Sequence, residues 1–325
     1  MTLHTPQHAR FRPYTMPLAE ALERIDKVFG IEKILADEGV DILQPYYRQS
    51  EFGYKRVHSQ KGCMHVALNT DGVYDIDGYF TQTREVTAHI GHTGASQVLE
   101  LGSGMGFNTL TLAPQHTNVA FTGVDLIDHH VATAQKGAKG MANARFVQGS
   151  YQDLPEGMPE AEVIFAIETL CYATDLDQVA QQVAQHLKPG GRFIMYDGFR
   201  RPDFDQAPAD VILATRLFEV TTAVTGGFWT LKAWEDALTR AGLSMVKVGD
   251  HTDDTIACMR YLQDRSARFF RSIKYKFLRP IMPKYLIRNA VGGLTGPYMI
   301  EGADPLAGQD RGALTYNVMI AEKPA

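Results

Sequence analysis

Three kinds of residue in this chain stand at spacings that could do chemistry. Glycines at 102, 104 and 106 end the run Val98-Leu-Glu-Leu-Gly-Ser-Gly-Met-Gly, just before a segment near Asn108 that reads as a helix. Glycine there permits backbone angles that a Cβ forbids and lets a ligand lie against the main chain. Asp125 closes a second apolar run, Val119 to Val124, and lies 19 residues past Gly106. A carboxylate so placed can grip two ribose hydroxyls. Glu168 follows a third run, Glu162 to Ile167. It stands at the carboxyl end of a strand, where ligands bind in open α/β sheets.

The elements that must position these groups follow from hydrophobic periodicity. Short apolar runs at 98–101, 119–124, 145–148, 162–167 and 192–196 read as buried strands. Helical patterns fall between them, from about 107, at 128–140 and at 175–187. Strands alternating with helices predict a parallel sheet covered on both faces. Phe107 occupies the third-glycine position of the dinucleotide Gly-x-Gly-x-x-Gly pattern. So large a residue argues against the tight helix–strand approach of a pyrophosphate site.

Upstream, residues 1–17 are expected to be loosely packed. Apolar spacing predicts helices over 18–30, 31–39 and 79–92, with an aromatic stretch (Tyr46, Tyr47, Phe52, Tyr54, then His58 and His65) between them. Downstream, helices are expected over 208–225 and 231–241, and a strand over 243–248. Residues 252–292 read as mainly helical with breaks at Pro280 and Pro283, 292–312 as glycine-rich loops, and 314–322 as a last strand.

The chain has 325 residues, 45% of them hydrophobic, enough for a core without disulfides. A net charge of −5 argues against a general nucleic-acid binder. Cys63, Cys171 and Cys258 are odd in number and widely spaced, which predicts a reducing compartment. Cys63 and His65 have no second ligand pair at metal spacing, so no metal is expected. No run has signal-peptide or membrane-spanning character, and the expected location is cytoplasmic.

The glycine loop, Asp125, the segment Arg145-Phe-Val-Gln-Gly-Ser-Tyr-Gln-Asp-Leu-Pro and the turn Leu187-Lys-Pro-Gly-Gly-Arg-Phe-Ile-Met-Tyr come in a set order. Together they resemble class I S-adenosylmethionine-dependent methyltransferases over roughly residues 85–250. The resemblance implies a Rossmann-like α/β fold: a seven-stranded, mostly parallel sheet with an antiparallel last strand. It also implies an N-terminal helical and aromatic cap (1–84), a cofactor-binding core (85–250), an inserted helical cap (251–312) and a final core strand (313–325). The implied cofactor is S-adenosyl-L-methionine. Its implied contacts are Glu100, Gly102, Ser103, Gly104, Gly106 and Ile167 on the methionine side, Asp125 at the ribose, and Leu126, Ser150 and Tyr151. The residue after Gly149 is usually an acid in this family; here it is Ser150.

Within that family, Ile167-Glu-Thr-Leu-Cys-Tyr resembles the Ile-Glu-Ala-Thr-Cys-His segment of sterol and tocopherol carbon methyltransferases, with Tyr172 at the histidine position. Ser50-Glu-Phe-Gly-Tyr is similar to their Tyr-Glu-x-Gly core. The implied reaction is attack of an alkene on a sulfonium methyl. The resulting carbocation is stabilised by aromatic faces or a carboxylate and ended by a base. Glu168 is the favoured base, with Tyr54, His58 and Tyr172 as alternatives. Tyr46, Tyr47, Phe52 and Trp229 would line the site for a small hydrophobic or isoprenoid-like substrate. Blander readings stand beside these: aromatics that glue a cap to the core, and a Glu168 that only shapes a pocket. Oxygen or nitrogen methylation of a small metabolite, or a non-enzymatic cofactor- or lipid-binding protein, also fits the scaffold.

Residues 265–288 contain eight basic residues and no acid, interleaved with Phe269, Phe270, Ile273, Phe277 and Leu278. Such a segment can rest on an anionic membrane, hold a diphosphate, or simply be a solvated face. No nucleic-acid partner is expected, and oligomeric state is left open.

Overall fold

A computed structural model describes residues 13–59, 62–306 and 312–325. Strands β1 (Gln97–Leu101), β2 (Ala120–Asp125), β3 (Ala144–Gln148), β4 (Ala161–Ile167), β5 (Leu187–Arg200), β6 (Ser244–Asp250) and β7 (Leu314–Glu322) form one sheet of order β3-β2-β1-β4-β5-β7-β6. The first five are mutually parallel. β7 runs antiparallel between β5 and β6. This is the seven-stranded, mostly parallel architecture that the sequence predicts.

Side-chain parity explains why these runs are strands. Val98, Val163, Phe165 and Ile194 point into one apolar layer. Leu99, Leu101, Ile164, Ala166 and Phe193 point into the layer on the other face. Successive residues of a strand face opposite sides, so a strand buried on both sides must be apolar throughout. Helix α4 (Thr81–Thr93) contributes Val86 and Ile90 to the first layer. Helices α7 (Leu176–His186) and α9 (Leu231–Arg240) contribute Val179, Val183 and Trp234 to the second. Asp175 caps α7 by accepting a hydrogen bond from the Gln178 amide.

Register decides where the chemistry gathers. Leu101 pairs with both Val124 and Ala166, and Ile167 pairs with Tyr196. Gly102, Asp125, Glu168 and Asp197 therefore emerge along one edge of the sheet. Strand order reverses between β1 and β4, and that switch opens a crevice at this edge.

A helical layer covers the crevice. It contains α1 (Leu18–Phe29), α2 (Ile31–Leu35), α8 (Ala209–Thr221), α10 (Thr252–Arg271) and α12 (Lys284–Glu301), whose buried faces meet in one cluster. Helix α3 (Leu43–Gly53), continued by a π-helical turn Tyr54–His58, closes one side, and α11 (Ile273–Leu278) joins α10 to α12. Arg260 of α10 and Glu301 of α12 form a bidentate pair at 2.7 and 2.9 Å. Residues 1–12 lie outside the described residues. Met16, expected in a loose tail, is fully buried in the helical layer and its carbonyl accepts from Tyr298 Oη.

The largest departure from expectation is α12, which runs through Gly292, Gly293, Gly296 and Pro297 where loops were predicted. These glycines are packing residues. A Cβ on Gly293 would stand 2.3 Å from Ser266 Oγ of α10, and one on Gly296 would stand 2.9 Å from Met259 Sδ. Glycine in a helix interior costs about 1 kcal/mol relative to alanine, and close contact with α8 and α10 offsets it. Gly293→Val is accordingly expected to lower unfolding free energy by about 1–3 kcal/mol through overpacking. Urea melts of the two proteins check this, and an unchanged midpoint would disprove the close contact.

Candidate active site

The β1–α5 loop is built around left-handed glycines, with α5 spanning Phe107–Leu112. Gly102 has φ +63°, and a Cβ there would lie 1.9 Å from Thr169 Oγ1 after β4. Only glycine fits between the two loops. Gly104, at φ +52°, donates its amide to Asp125 Oδ2 at 2.7 Å. Asp125 Oδ1 accepts the Ile127 amide at 2.9 Å. His130 Nδ1 also stands 3.4 Å from Oδ1, whereas Oδ2 keeps a second lone-pair direction for a hydroxyl donor.

These groups line a cavity of about 310 Å³. Gly102, Ser103, Gly104, Asp125, Leu126, Ser150, Tyr151 and Ile167 all reach its wall, joined by Met64 and His130. Ser103 Oγ and His130 Nε2 are buried without a hydrogen-bond partner among the described residues. Unpartnered buried polar atoms are costly, and at a cavity wall they mark places for a polar ligand.

Two of the predicted cofactor residues do other work. Glu100 is buried beneath the loop with its carboxylate turned to α5. It accepts from Asn108 Nδ2 at 2.9 Å, Thr109 Oγ1 at 2.6 Å and the Thr109 amide at 3.2 Å. Burial raises its carboxyl to about 7. Gly106 caps α5 at φ +87°, where a Cβ would press to 2.9 Å on both Ala134 of α6 (Asp128–Gly137) and Phe146 of β3.

A second cavity of about 690 Å³ lies between the sheet edge and the helical layer. Tyr47, Met64, Glu168 and Tyr172 line both cavities, so the two spaces meet at these side chains. Tyr46, Phe52, Tyr54 and His58 also line the larger one. Trp229 does not: its indole N–H donates to the Ala173 carbonyl at 2.9 Å, and its neighbour Phe228 lines the cavity instead. The tyrosine hydroxyls satisfy one another, Tyr46 with Tyr54 at 2.7 Å and Tyr47 with Tyr172 at 2.9 Å. Burial holds the phenols of Tyr47 and Tyr172 well above their usual range and that of Tyr54 up to about 12. At neutral pH these rings are therefore uncharged. They can offer aromatic faces rather than basic oxygens.

Glu168 sits in the left-handed region at φ +48°, a strained conformation for a residue with a side chain. Its amide donates to the Tyr196 carbonyl at 2.8 Å. Its Oε1 accepts the Val66 amide at 2.8 Å and Tyr316 Oη at 2.9 Å. Burial raises its carboxyl to about 8, with neighbouring Asp197 adding to the effect and the two hydrogen bonds opposing it. His58 donates from Nε2 to the His65 carbonyl at 2.9 Å, and burial lowers its pKa. It is a neutral imidazole with Nδ1 as its basic atom.

Sequence reasoning missed several residues here. Asp197 lines the larger cavity from within β5, one residue past the Tyr196 that pairs with Ile167, accepts the amides of Cys171 and Gly198, and is raised by burial to about 7. The positional rule that selected Glu168 applies equally to it. Tyr316 had no local signal, since it reaches Glu168 from a strand 148 residues downstream. Among the described residues, no group of three or more His, Cys, Asp or Glu could hold a metal ion.

Residues 98–191 match the family model described as "Methyltransferase domain". Sterol methyltransferase-like 3 of Botryococcus braunii is 34% identical over 112 residues, 34% of this chain and 28% of that protein. The S-adenosyl-L-methionine-dependent Diels-Alderase iccD of Talaromyces variabilis is 31% identical over 173 residues, 50% of this chain and 58% of that protein. The chain thus spans less than two thirds of the length of these relatives. Geranyl diphosphate C-methyltransferase from Streptomyces coelicolor A3(2), solved with Mg2+, geranyl-S-thiolodiphosphate and S-adenosyl-L-homocysteine, superposes with a TM-score of 0.59 at 14% identity, covering 90% of this chain and 97% of that one. With the glycine loop, Asp125 and the strand order in view, the chain has the class I methyltransferase fold, and its residues 98–191 are similar to the methyltransferase domain family.

Proposed function

We propose that the chain is an S-adenosylmethionine-dependent methyltransferase that acts on carbon in an unsaturated, isoprenoid-like acceptor. The observation that carries this reading is the junction of the two cavities, where Glu168 stands in a strained backbone and lines both spaces together with Tyr47 and Tyr172. The smaller cavity fits the cofactor. The backbone of Gly102 to Gly104 would hold the methionine moiety and the Asp125 carboxylate the ribose. Leu126 and Ser150 would meet the adenine, and Ser103 Oγ and His130 Nε2 would gain the partners they lack. When bound, the cofactor supplies an electrophilic sulfonium methyl.

The larger cavity suits an apolar acceptor. When an alkene donates its π pair to that methyl to form a new carbon–carbon bond, the methyl's bond to sulfur would break, its pair would leave on the neutral thioether, and the neighbouring acceptor carbon would be left electron-deficient. The faces of Tyr47, Tyr54 and Tyr172 can stabilise that charge by cation–π attraction without trapping it, because their hydroxyls are engaged, Tyr47 with Tyr172 and Tyr54 with Tyr46. Glu168, as carboxylate, then takes a proton from the adjacent carbon and the double bond re-forms. His58 Nδ1 is the second base on the same wall. At the far end Arg265 and Arg268 line the cavity, and Arg265 Nε is buried without a hydrogen-bond partner among the described residues. An acceptor with an anionic end, a diphosphate among them, would satisfy it.

The test is incubation with methyl-labelled cofactor and a panel of prenyl diphosphates, prenols, sterols and fatty acids, with mass spectrometry and NMR of the products. The expected result is label in a new carbon–carbon bond on an alkenyl chain. Label recovered as an ether, ester or amine would replace this reading with oxygen or nitrogen methylation. A rearranged acceptor without label would point to a cofactor-dependent cyclase.

A further inference from the structure

The basic segment carries a surface that the catalytic reading leaves unexplained. Ile273, Phe277 and Ile281 recur every four residues along α11 and the short 3-10 turn Arg279–Ile281. They are 73%, 75% and 79% exposed, with Leu278 at 44%. Singly exposed apolar residues are ordinary, but a contiguous row of large ones marks a surface that something covers. Lys274, Lys276 and Arg279 alternate with them, and Arg268 and Arg271 extend the positive charge along α10. Among the described residues none of these five forms a salt bridge. Arg271 donates to the Thr15 carbonyl and Arg279 to the Tyr275 carbonyl. Lys284 and Arg288, further on, are claimed by Asp37 and do not belong to the patch.

The same segment forms part of the wall of the larger cavity. Ser272, Tyr275 and Met282 line it, interleaved with the exposed residues. We infer that Ile273 to Ile281 docks on an anionic lipid bilayer, with the apolar side chains in the headgroup–acyl boundary and the cations among the headgroups, so that the 690 Å³ cavity is reached from the membrane. Charge chooses the occupant. A cationic row with no acid from 265 to 288 repels a second copy of itself and attracts phosphate headgroups. Among the described residues no helix is long and apolar enough to cross a membrane, so the contact is peripheral. The entry route rests on the apolar-acceptor reading above; the docking itself does not.

Vesicle co-sedimentation tests the docking without reference to turnover. The probes are vesicles of phosphatidylcholine alone and of phosphatidylcholine with phosphatidylglycerol, at low and high salt. The wild-type chain is expected to partition onto the anionic vesicles only, and more weakly as salt rises. Lys274→Glu with Lys276→Glu should lower that partition by at least about 25-fold, since each cation near an anionic surface is worth about fivefold. Ile273→Ser with Phe277→Ser and Ile281→Ser should keep low-salt binding but lose whatever binding persists at high salt. All five side chains are exposed, so folding is retained, and melting curves verify it. Three results would each overturn the inference: a wild-type chain that ignores anionic vesicles, partition unchanged by the lysine reversals, or a dimer in sedimentation velocity that the serine variant dissociates. If the vesicle results hold while no lipid is methylated, the docking stands and the acceptor reading fails.

Discussion

Glu168→Gln is expected to lower turnover by at least about 10²-fold, the usual floor for losing a positioned acid–base group, with cofactor affinity near that of the wild type. Glutamine retains an oxygen for the Val66 amide and Tyr316 Oη, so the strained loop after β4 keeps its anchors. What is lost is charge and basicity. Residual products should shift, because a cation without its base can lose a proton elsewhere or be captured by water. The pH behaviour separates this role from a merely structural one. With the carboxyl raised to about 8, most of the free enzyme holds Glu168 protonated at neutral pH. kcat/KM should therefore rise with pH along a limb near 8, and that limb should vanish in the glutamine variant. Stability moves the opposite way. A carboxyl with a raised folded-state pKa favours folding below its unfolded value near 4.5, and that contribution is lost as pH rises through 8. The glutamine variant should match the wild type near pH 4.5 and exceed it in melting temperature near pH 9. A variant with wild-type turnover, product pattern and pH profile would reject Glu168 as base and move the role to His58.

Asp125→Ala is expected to weaken cofactor binding by at least about 10²-fold, because charge-assisted hydrogen bonds to a ribose are worth about 1.5–3 kcal/mol each. The alanine variant also frees the Gly104 and Ile127 amides that the carboxylate holds. It should therefore loosen the glycine loop as well as the ribose contact. Asp125→Asn keeps one acceptor oxygen and should lose less. Calorimetry on the pair distinguishes the two contributions, and unchanged affinity in both variants would remove the ribose assignment.

The polar edge of the sheet was legible because it depends on short-range pattern. A strand buried on both faces is a continuous apolar run, and its last residue is the first that can be polar. Asp125 and Glu168 follow from that rule alone, and so would Asp197. The last strand was read at 314–322 and is found at Leu314–Glu322 for the same reason. The glycine loop was legible too, since a turn between strand and helix needs positive φ at fixed offsets.

What only the tertiary structure decided is which side of each element meets what. Glu100 and Gly106 lie in the right motif, yet α5, α6 and β3 claim them. Trp229 and Phe228 are adjacent, and the course of the chain after β5 turns only the second into the cavity. Gly102 requires its glycine because Thr169, 67 positions away in the chain, arrives beside it. Glycines at 292, 293 and 296 look like loop punctuation in isolation, and become helix-packing surfaces once α8 and α10 close on them. Lys284 and Arg288 belong to the basic run in sequence, but Asp37 neutralises them in space. Tyr316 reaches Glu168 only because β7 inserts antiparallel beside β5. Local periodicity determines what a segment becomes and which residues end it. Contacts between distant segments depend on the packing of whole elements, and one sequence stretch holds no record of its partner.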